Sequence, residues 1–360
     1  MQAGQHDPFE SWFEALEGRC LHGLSFAEVR RALQALSSLY VERRCHAGGP
    51  ARALQGAGKR AAFALFYAPL HFLLVRQIVR SVGAASPPPE TILDLGCGTG
   101  CAGAAWALEC IGETGGVSPP SSRAPRLVGI DRNAWAVGET RWTLRTLGLK
   151  GAVRRGNLEG TPLPGSGTAV LLAFTANELA PAARERLLGR LLKAHGHGAS
   201  VLVVEPVARR VAPWWGEWSR AAAAAGGLSG LWRFPARLPE RLRLLDRAAG
   251  LDHSELTGRS LWLPPRSASH GPSMGQDRKA VVRLQFLASG GHLPAGPGEG
   301  AHRGQGRAAG LAEAGDGSRL RTGKAPQPLQ LPARVAHQKA ELPEHLLLDR
   351  IRGGRRDLGQ

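Results

Sequence analysis

The run Asp94-Leu95-Gly96-Cys97-Gly98-Thr99-Gly100 sets an acid beside three alternating glycines. Glycines tolerate positive φ and let a ligand lie against bare backbone. The dinucleotide fingerprint G-x-G-x-x-G/A would need Gly or Ala where this chain has Cys101, and no phosphate-loop Lys-Ser/Thr pair follows. An acid beside the turn repels pyrophosphate and welcomes an ammonium group. A second acid, Asp131, ends the apolar run Leu127-Val128-Gly129-Ile130. A carboxylate at a strand tip can accept both hydroxyls of a ribose, or it can cap the helix that follows Arg132. Glu178 follows Phe174-Thr175-Ala176-Asn177 and can serve as a general base if a water-poor cleft raises its proton affinity. It can equally cap a helix beginning near Pro181. Glu205 is a weaker candidate of the same kind. The five cysteines, Cys20, Cys45, Cys97, Cys101 and Cys110, have no zinc-ribbon spacing, and no metal site is expected.

These residues need a scaffold that brings them to one edge. Apolar runs at 91–95, 126–130, 152–155, 168–174 and 200–205 alternate with helical stretches at 102–110, 135–147, 181–194, 213–225 and 239–249. That alternation predicts a doubly wound, mostly parallel, Rossmann-like α/β sheet. Each candidate then stands at the carboxyl end of a strand, where such sheets bind ligands. The Gly/Pro/Ser-rich stretch 112–125 reads as a surface loop.

A helical N-terminal cap, 1–86, precedes the sheet domain at 87–288. Phe9, Trp12, Phe13 and Leu16 recur at helical spacing, and Ser25 with Glu28 forms a capping box. Phe26, Val29, Leu33, Leu36 and Leu39 continue one apolar face up to the break at Gly48-Gly49-Pro50. A further helix carries Phe63, Phe66, Tyr67, Leu70, Leu73 and Leu74, with a kink or restart expected near Ala68 because Pro69 has no amide hydrogen. Tyr67 and His71 either close over a ligand or are buried in the core. The uncharged run 61–75 would reach only about 22 Å as a helix, so it reads as buried and no membrane partner is expected. A last strand is expected at 280–288, and residues 289–360 form a basic, Gly/Pro-rich tail expected to be disordered, with a short helix at 342–351 as its only regular piece.

Lys and Arg number 46 against 29 acids, a net charge of +17. Such a field favours polyanions, RNA above all. Only six of the basic residues are Lys, however, so an arginine-heavy coding bias gives the same total. Residues 1–263 keep +10 once everything from Pro264 onward, with 15 basic and 8 acidic residues, is set aside. The odd cysteine count and the N-terminal residues, which lack a basic and apolar leader, fit a reduced cytoplasmic compartment. Trp214, Trp215 and Trp218 share a helical face, and core packing is the expected role for them and for Trp135 and Trp142. Oligomeric state leaves no trace in the sequence.

Asp94 through Gly100 resembles motif I of the class I S-adenosylmethionine-dependent methyltransferases. The resemblance spans roughly 91–205 and implies S-adenosylmethionine as cofactor. It implies that Asp94, Gly96, Gly98 and Gly100 hold the cofactor and that Asp131 accepts its ribose hydroxyls. At the tip of the third strand the family usually has an Asp that accepts from the adenine amino group. This chain has Asn157, whose carbonyl can do the same, with Glu159 as a substitute and a plain loop asparagine as the simpler reading. The resemblance puts Phe174, at the end of the fourth strand, beside the sulfonium and the acceptor. Neither an Asn-Pro-Pro-Tyr tetrad nor a Pro-Cys pair is present there. A fainter likeness, through Asn177-Glu178-Leu179, Val203-Val204-Glu205-Pro206 and Trp232-Arg233-Phe234, is to the ribosomal small-subunit methyltransferase-like proteins, without their cysteine cluster. The function implied is methyl transfer to RNA or a ribosomal component ahead of a small molecule. The rival is a non-catalytic cofactor- or RNA-binding protein that retains the fold.

Overall fold

The computed structural model describes residues 7–42, 54–112, 124–207 and 212–266. The Gly48-Gly49-Pro50 break, most of the 112–125 loop, the strand expected at 280–288 and the 289–360 tail with its 342–351 helix lie outside these residues.

Seven strands form one sheet in the order β3-β2-β1-β4-β5-β7-β6. β1 (Thr91–Leu95), β2 (Arg126–Asp131), β3 (Gly151–Arg155), β4 (Thr168–Ala173) and β5 (Ser200–Glu205) are mutually parallel. In β1, β4 and β5 the runs of Leu, Ile and Val are buried on both faces, as a helix-covered parallel sheet requires, while β3 at the edge buries only Val153. Thr91 is level with both Arg126 and Thr168, so β1, β2 and β4 present their carboxyl ends together. β4 stops one residue short of the expected 174, because Phe174 has φ +57 and leaves extended geometry. The far end of the sheet departs from expectation. β6 (Leu228–Pro235) and β7 (Glu255–Leu263) lie where the sequence shows no strand pattern, and β7 runs antiparallel to both β5 and β6.

The helices α5 (Cys101–Gly112), α6 (Ala134–Thr146), α7 (Pro181–Gly196), α8 (Trp215–Ala224) and α9 (Glu240–Ala248) follow the expected stretches with shifted ends. The N-terminal helices are α1 (Pro8–Leu21), α2 (Phe26–Glu42), α3 (Ala57–Ala62) and α4 (Ala68–Ser81). They share one core with the sheet face that α5 covers, in which Trp12, Phe66, Phe72, Trp106 and Leu127 are all buried. The opposite face packs Ile130, Leu172, Leu187, Leu191 and Trp218. At α2 the capping box forms: Ser25 N donates to Glu28 Oε2 (2.8 Å) and Glu28 N to Ser25 Oγ (3.3 Å). Phe26 is 40% exposed, so the apolar face begins at Val29 instead.

The helix interruption expected near Ala68 is present: α3 ends at Ala62 and α4 begins at Ala68, with Pro69 in its first turn. A single π turn, Phe63–Tyr67, joins α3 to α4, and Ala68 N donates to Phe63 O five residues back. The wider turn accommodates a residue whose missing amide would interrupt an α ladder. The resulting helical stretch, Ala57–Ser81, is long and apolar enough to cross a membrane, so the length argument against a span fails. What characterises it here is burial: Leu70, Phe72, Leu73, Val75, Ile78 and Val79 are all inside the core.

Candidate functional site

The glycine turn links β1 to α5, with φ of +73 at Gly96, +55 at Gly98 and +75 at Gly100. The three glycines differ in purpose. A Cβ at Gly96 would meet Thr175 at 2.5 Å, and one at Gly100 would meet Thr140 at 2.6 Å. At Gly98 it would meet nothing within 4 Å. On the side where a Cβ would stand, Gly96 and Gly100 allow close packing and Gly98 faces open space. Gly96 N and Cys97 N donate to Ile130 O at 2.8 and 3.1 Å, which ties the turn to the tip of β2. Cys97 is a buried filler with its Sγ 3.3 Å from Thr140 Oγ1.

Asp94 lies beneath this turn and is 1% exposed. Its Oδ2 accepts from Gly103 N at 3.2 Å, while Oδ1 is buried with no partner. Burial pushes its carboxyl up to about 7; the Gly103 hydrogen bond opposes that shift and the nearby Asp131 charge adds to it. Asp131 is half-buried. Its Oδ2 accepts from Gly98 N (3.0 Å) and its Oδ1 from Asn133 N (2.7 Å). Asn133, not Asp131, caps α6, by accepting from Trp135 N at 2.9 Å. The capping alternative for Asp131 is thus corrected. Its carboxylate clasps the turn and keeps a second lone pair on each oxygen.

Asn157 is exposed, and its side-chain oxygen accepts from Glu159 N (3.2 Å) to cap the short 3-10 turn Leu158–Gly160. That oxygen keeps a second lone pair. Glu159 faces Arg186 at 2.7 Å. Glu178 ends another 3-10 turn, with its side chain 45% exposed and 3.8 Å from Arg132. A water-poor cleft was the reason to expect a raised proton affinity there, and this exposure removes it. Nor does Glu178 cap α7, whose N-cap is Ala180.

The carboxylate with that burial is Glu205, fully buried at the end of β5. It accepts from Ala176 N (2.8 Å), Asn177 N (3.4 Å) and Asn177 Nδ2. Burial pushes it up to about 8, against the lowering by those amides and by Arg259, its register partner on β7. Asn177 in turn accepts from Trp214 Nε1 at 3.1 Å. Sequence reasoning ranked Glu205 last because its burial depends on β7, a strand it did not see.

Beside the glycine turn, Phe174 stacks on His71 with ring centroids 3.7 Å apart. Burial pushes the His71 imidazole down to about 3, so it is neutral. Tyr67 and Phe63 continue the ring series at 6.2 and 5.8 Å, and Trp135 meets Phe63 edge-on at 6.2 Å. Tyr67 and His71 are half-buried, and His71 packs against Phe174, the residue that follows β4.

No protein-family model matches the chain, and no curated protein matches it. Among solved structures, the chain is similar to an O-methyltransferase family protein from Burkholderia thailandensis at 14% identity, covering 71% of this chain and 77% of that one with a TM-score of 0.42. It is similar to mitomycin 7-O-methyltransferase at 14% identity, covering 72% and 73%, with a TM-score of 0.40. A TehB-like S-adenosylmethionine-dependent methyltransferase from Corynebacterium glutamicum matches at 16% identity over 52% of this chain and 86% of its own, with a TM-score of 0.33. Likenesses this distant carry no argument about activity, and the residues of the site must supply it.

Proposed function

We propose that the chain binds S-adenosylmethionine at the β1 glycine turn and transfers its methyl group to an acceptor, RNA or a ribosomal component ahead of a small molecule. One observation carries the cofactor reading: Asp94 Oδ1 is buried and unpartnered below a turn whose Gly98 opens to space. An orphaned buried carboxylate oxygen is costly unless a cation or donor satisfies it, and the ammonium of an amino acid does so. Asp131, already bonded to Gly98 N, has lone pairs left for ribose hydroxyls. A pyrophosphate would sit badly between two carboxylates.

S-adenosylmethionine would supply an activated methyl on a sulfonium whose leaving group is neutral. Asp94 would hold the ammonium, Asp131 would orient the ribose, and Phe174 with His71 would exclude water on the acceptor side. Alignment of the acceptor with the methyl can then suffice without a buried base. The second reading, a non-catalytic cofactor- or RNA-binding protein, is favoured by the exposure of Glu178 and by the engagement of Asn157 in its own turn.

Calorimetric titration with S-adenosylhomocysteine, with NADH in parallel, tests the cofactor reading. Binding of the first and not the second is expected, and the reverse would sink it. Labelled cofactor incubated with cell RNA, ribosomes and a small-molecule extract then separates catalysis from binding alone.

A further inference from the structure

The two edges of the sheet differ in charge. Along β2, α6 and β3 stand Arg132, Arg141, Arg145, Lys150, Arg154 and Arg155, all exposed. The acids of the same stretch are occupied: Asp131 holds the glycine turn, and Glu139 pairs with Arg19. Among the described residues no carboxylate pairs with Arg141, Arg145, Arg154 or Arg155. Two hydrogen bonds place cations at this edge. Arg141 Nη2 donates to Val153 O at 2.9 Å, which lays Arg141 of α6 across the free edge of β3. Arg155 Nε donates to Arg132 O at 3.0 Å, which gathers the strand-end cations beside the glycine turn. Residues 126–155 carry seven Lys/Arg against two acids, whereas residues 215–263, toward the opposite edge, carry seven against five, and there Arg233 pairs with Glu255 and Arg243 with Glu240.

We propose that the free edge of β3 and the adjoining face of α6 form a docking track for single-stranded RNA that leads its backbone to the methyl-transfer cleft. The proposal rests on the RNA reading of the acceptor and gives it a location. Exposed guanidinium groups without acidic partners recruit phosphates by charge and by their forked donors. The track ends at the carboxyl tips of β2 and β3, where an α/β sheet binds ligands. A nucleotide whose base or ribose must reach into a cleft has to leave the duplex stack, so the strand fitted to such a track is single.

The test uses the full-length chain and a labelled 20-nucleotide RNA of mixed sequence, with anisotropy followed across a salt series. Each phosphate neutralised on a single strand contributes a slope of about −0.7 in log K against log salt. The variant Arg141→Gln/Arg145→Gln/Arg154→Gln is expected to flatten the slope by about 2 and to weaken binding about 100-fold at 0.1 M salt. The corresponding lysine triple is expected to retain the slope. Exposed arginines near the other edge, changed together as Arg220→Gln/Arg237→Gln/Arg247→Gln, are expected to leave it unchanged. Arg154→Gln alone should flatten it by about 0.7, which keeps the test decisive if the triple misfolds. An unchanged slope in the β3-edge variants, an equal loss in the far-edge triple, equal affinity for a duplex of the same length, or no RNA binding by the unaltered chain would each overturn the proposal. S-adenosylhomocysteine binding, measured on the same samples, shows separately whether the cofactor reading holds.

Discussion

The acids at the strand tips are a direct comparison between the two halves of the sheet. Asp94 and Asp131 in the parallel half lie at or near the ends of β1 and β2, and Glu205 at the antiparallel junction ends β5. In the parallel half the neighbouring strands stop at the same level, and Asp94 keeps a buried oxygen without a partner. At Glu205 the chain returns as β7, which sets Arg259 opposite, and the loop after β4 supplies three N–H donors. One arrangement leaves an unfilled electrostatic demand; the other satisfies it internally. Chemistry-bearing residue types are therefore poor guides without knowledge of which strands run alongside them.

The largest effect should come from the packing of the antiparallel half. Trp262 is 5% exposed and meets Trp106 edge-on at 5.8 Å. Trp262→Ala should cost about 3–5 kcal/mol in chemical denaturation. S-adenosylhomocysteine affinity of the folded protein should stay the same, and a tenfold fall would show that the halves are not separable. Next come the acids. Asp131→Ala should weaken S-adenosylhomocysteine binding by about 1–3 kcal/mol, whereas Glu205→Ala should cost about that much folding stability by orphaning the Ala176 and Asn177 amides. The contrast collapses if Glu205→Ala weakens ligand binding as much as Asp131→Ala does.

A pH series sharpens the contrast further. Asp94 titrates near 7 in the free protein because it is buried, and a bound ammonium would hold it ionised. Binding then releases a proton below pH 7, so affinity should rise about tenfold from pH 6 to pH 8. The sign for stability is opposite. A carboxyl whose folded value lies above its unfolded one makes the ligand-free protein less stable as pH rises from about 4 to 7. Buffers of different ionisation enthalpy would expose the proton release, and a flat affinity would remove Asp94 from ammonium binding. The smallest effect belongs to Glu178→Gln: a half-exposed side chain facing Arg132 at 3.8 Å should change stability by no more than about 0.5 kcal/mol.

The inner parallel strands were legible because a sheet covered on both faces needs apolar runs, and residues such as Ile92, Leu93, Val201 and Val203 supply them, whereas β3 at the edge buries only Val153. β6 was not legible: its burial alternates, Leu231 is 55% exposed, and Gly230 and Pro235 read as turn residues. β7 begins on the mixed stretch Glu255 to Arg259, and α9 separates it from β6, so no short hairpin turn marks the pair. At the site, Asp94 and Asp131 were legible because an acid ending an apolar run is a local signal. The separate duties of Gly96 and Gly98 depend on Thr175, about eighty positions away, and no local pattern carries that.

The π turn at Phe63–Tyr67 bears on how such a site can change over time. In a regular α-helix each step turns the wheel by about 100°, so rings four apart drift sideways. Phe63 and Tyr67 across the wide turn, and Tyr67 and His71 along α4, form a ladder with neighbouring centroids 5.8 and 6.2 Å apart. Because a π turn equals an α-helix with one residue inserted, losing a single residue there would restore α register. That deletion would swing the upstream ring off the ladder while leaving α4 anchored in the core. A one-codon event could thus re-aim the aromatic wall toward a different acceptor without any change in the sheet beneath it.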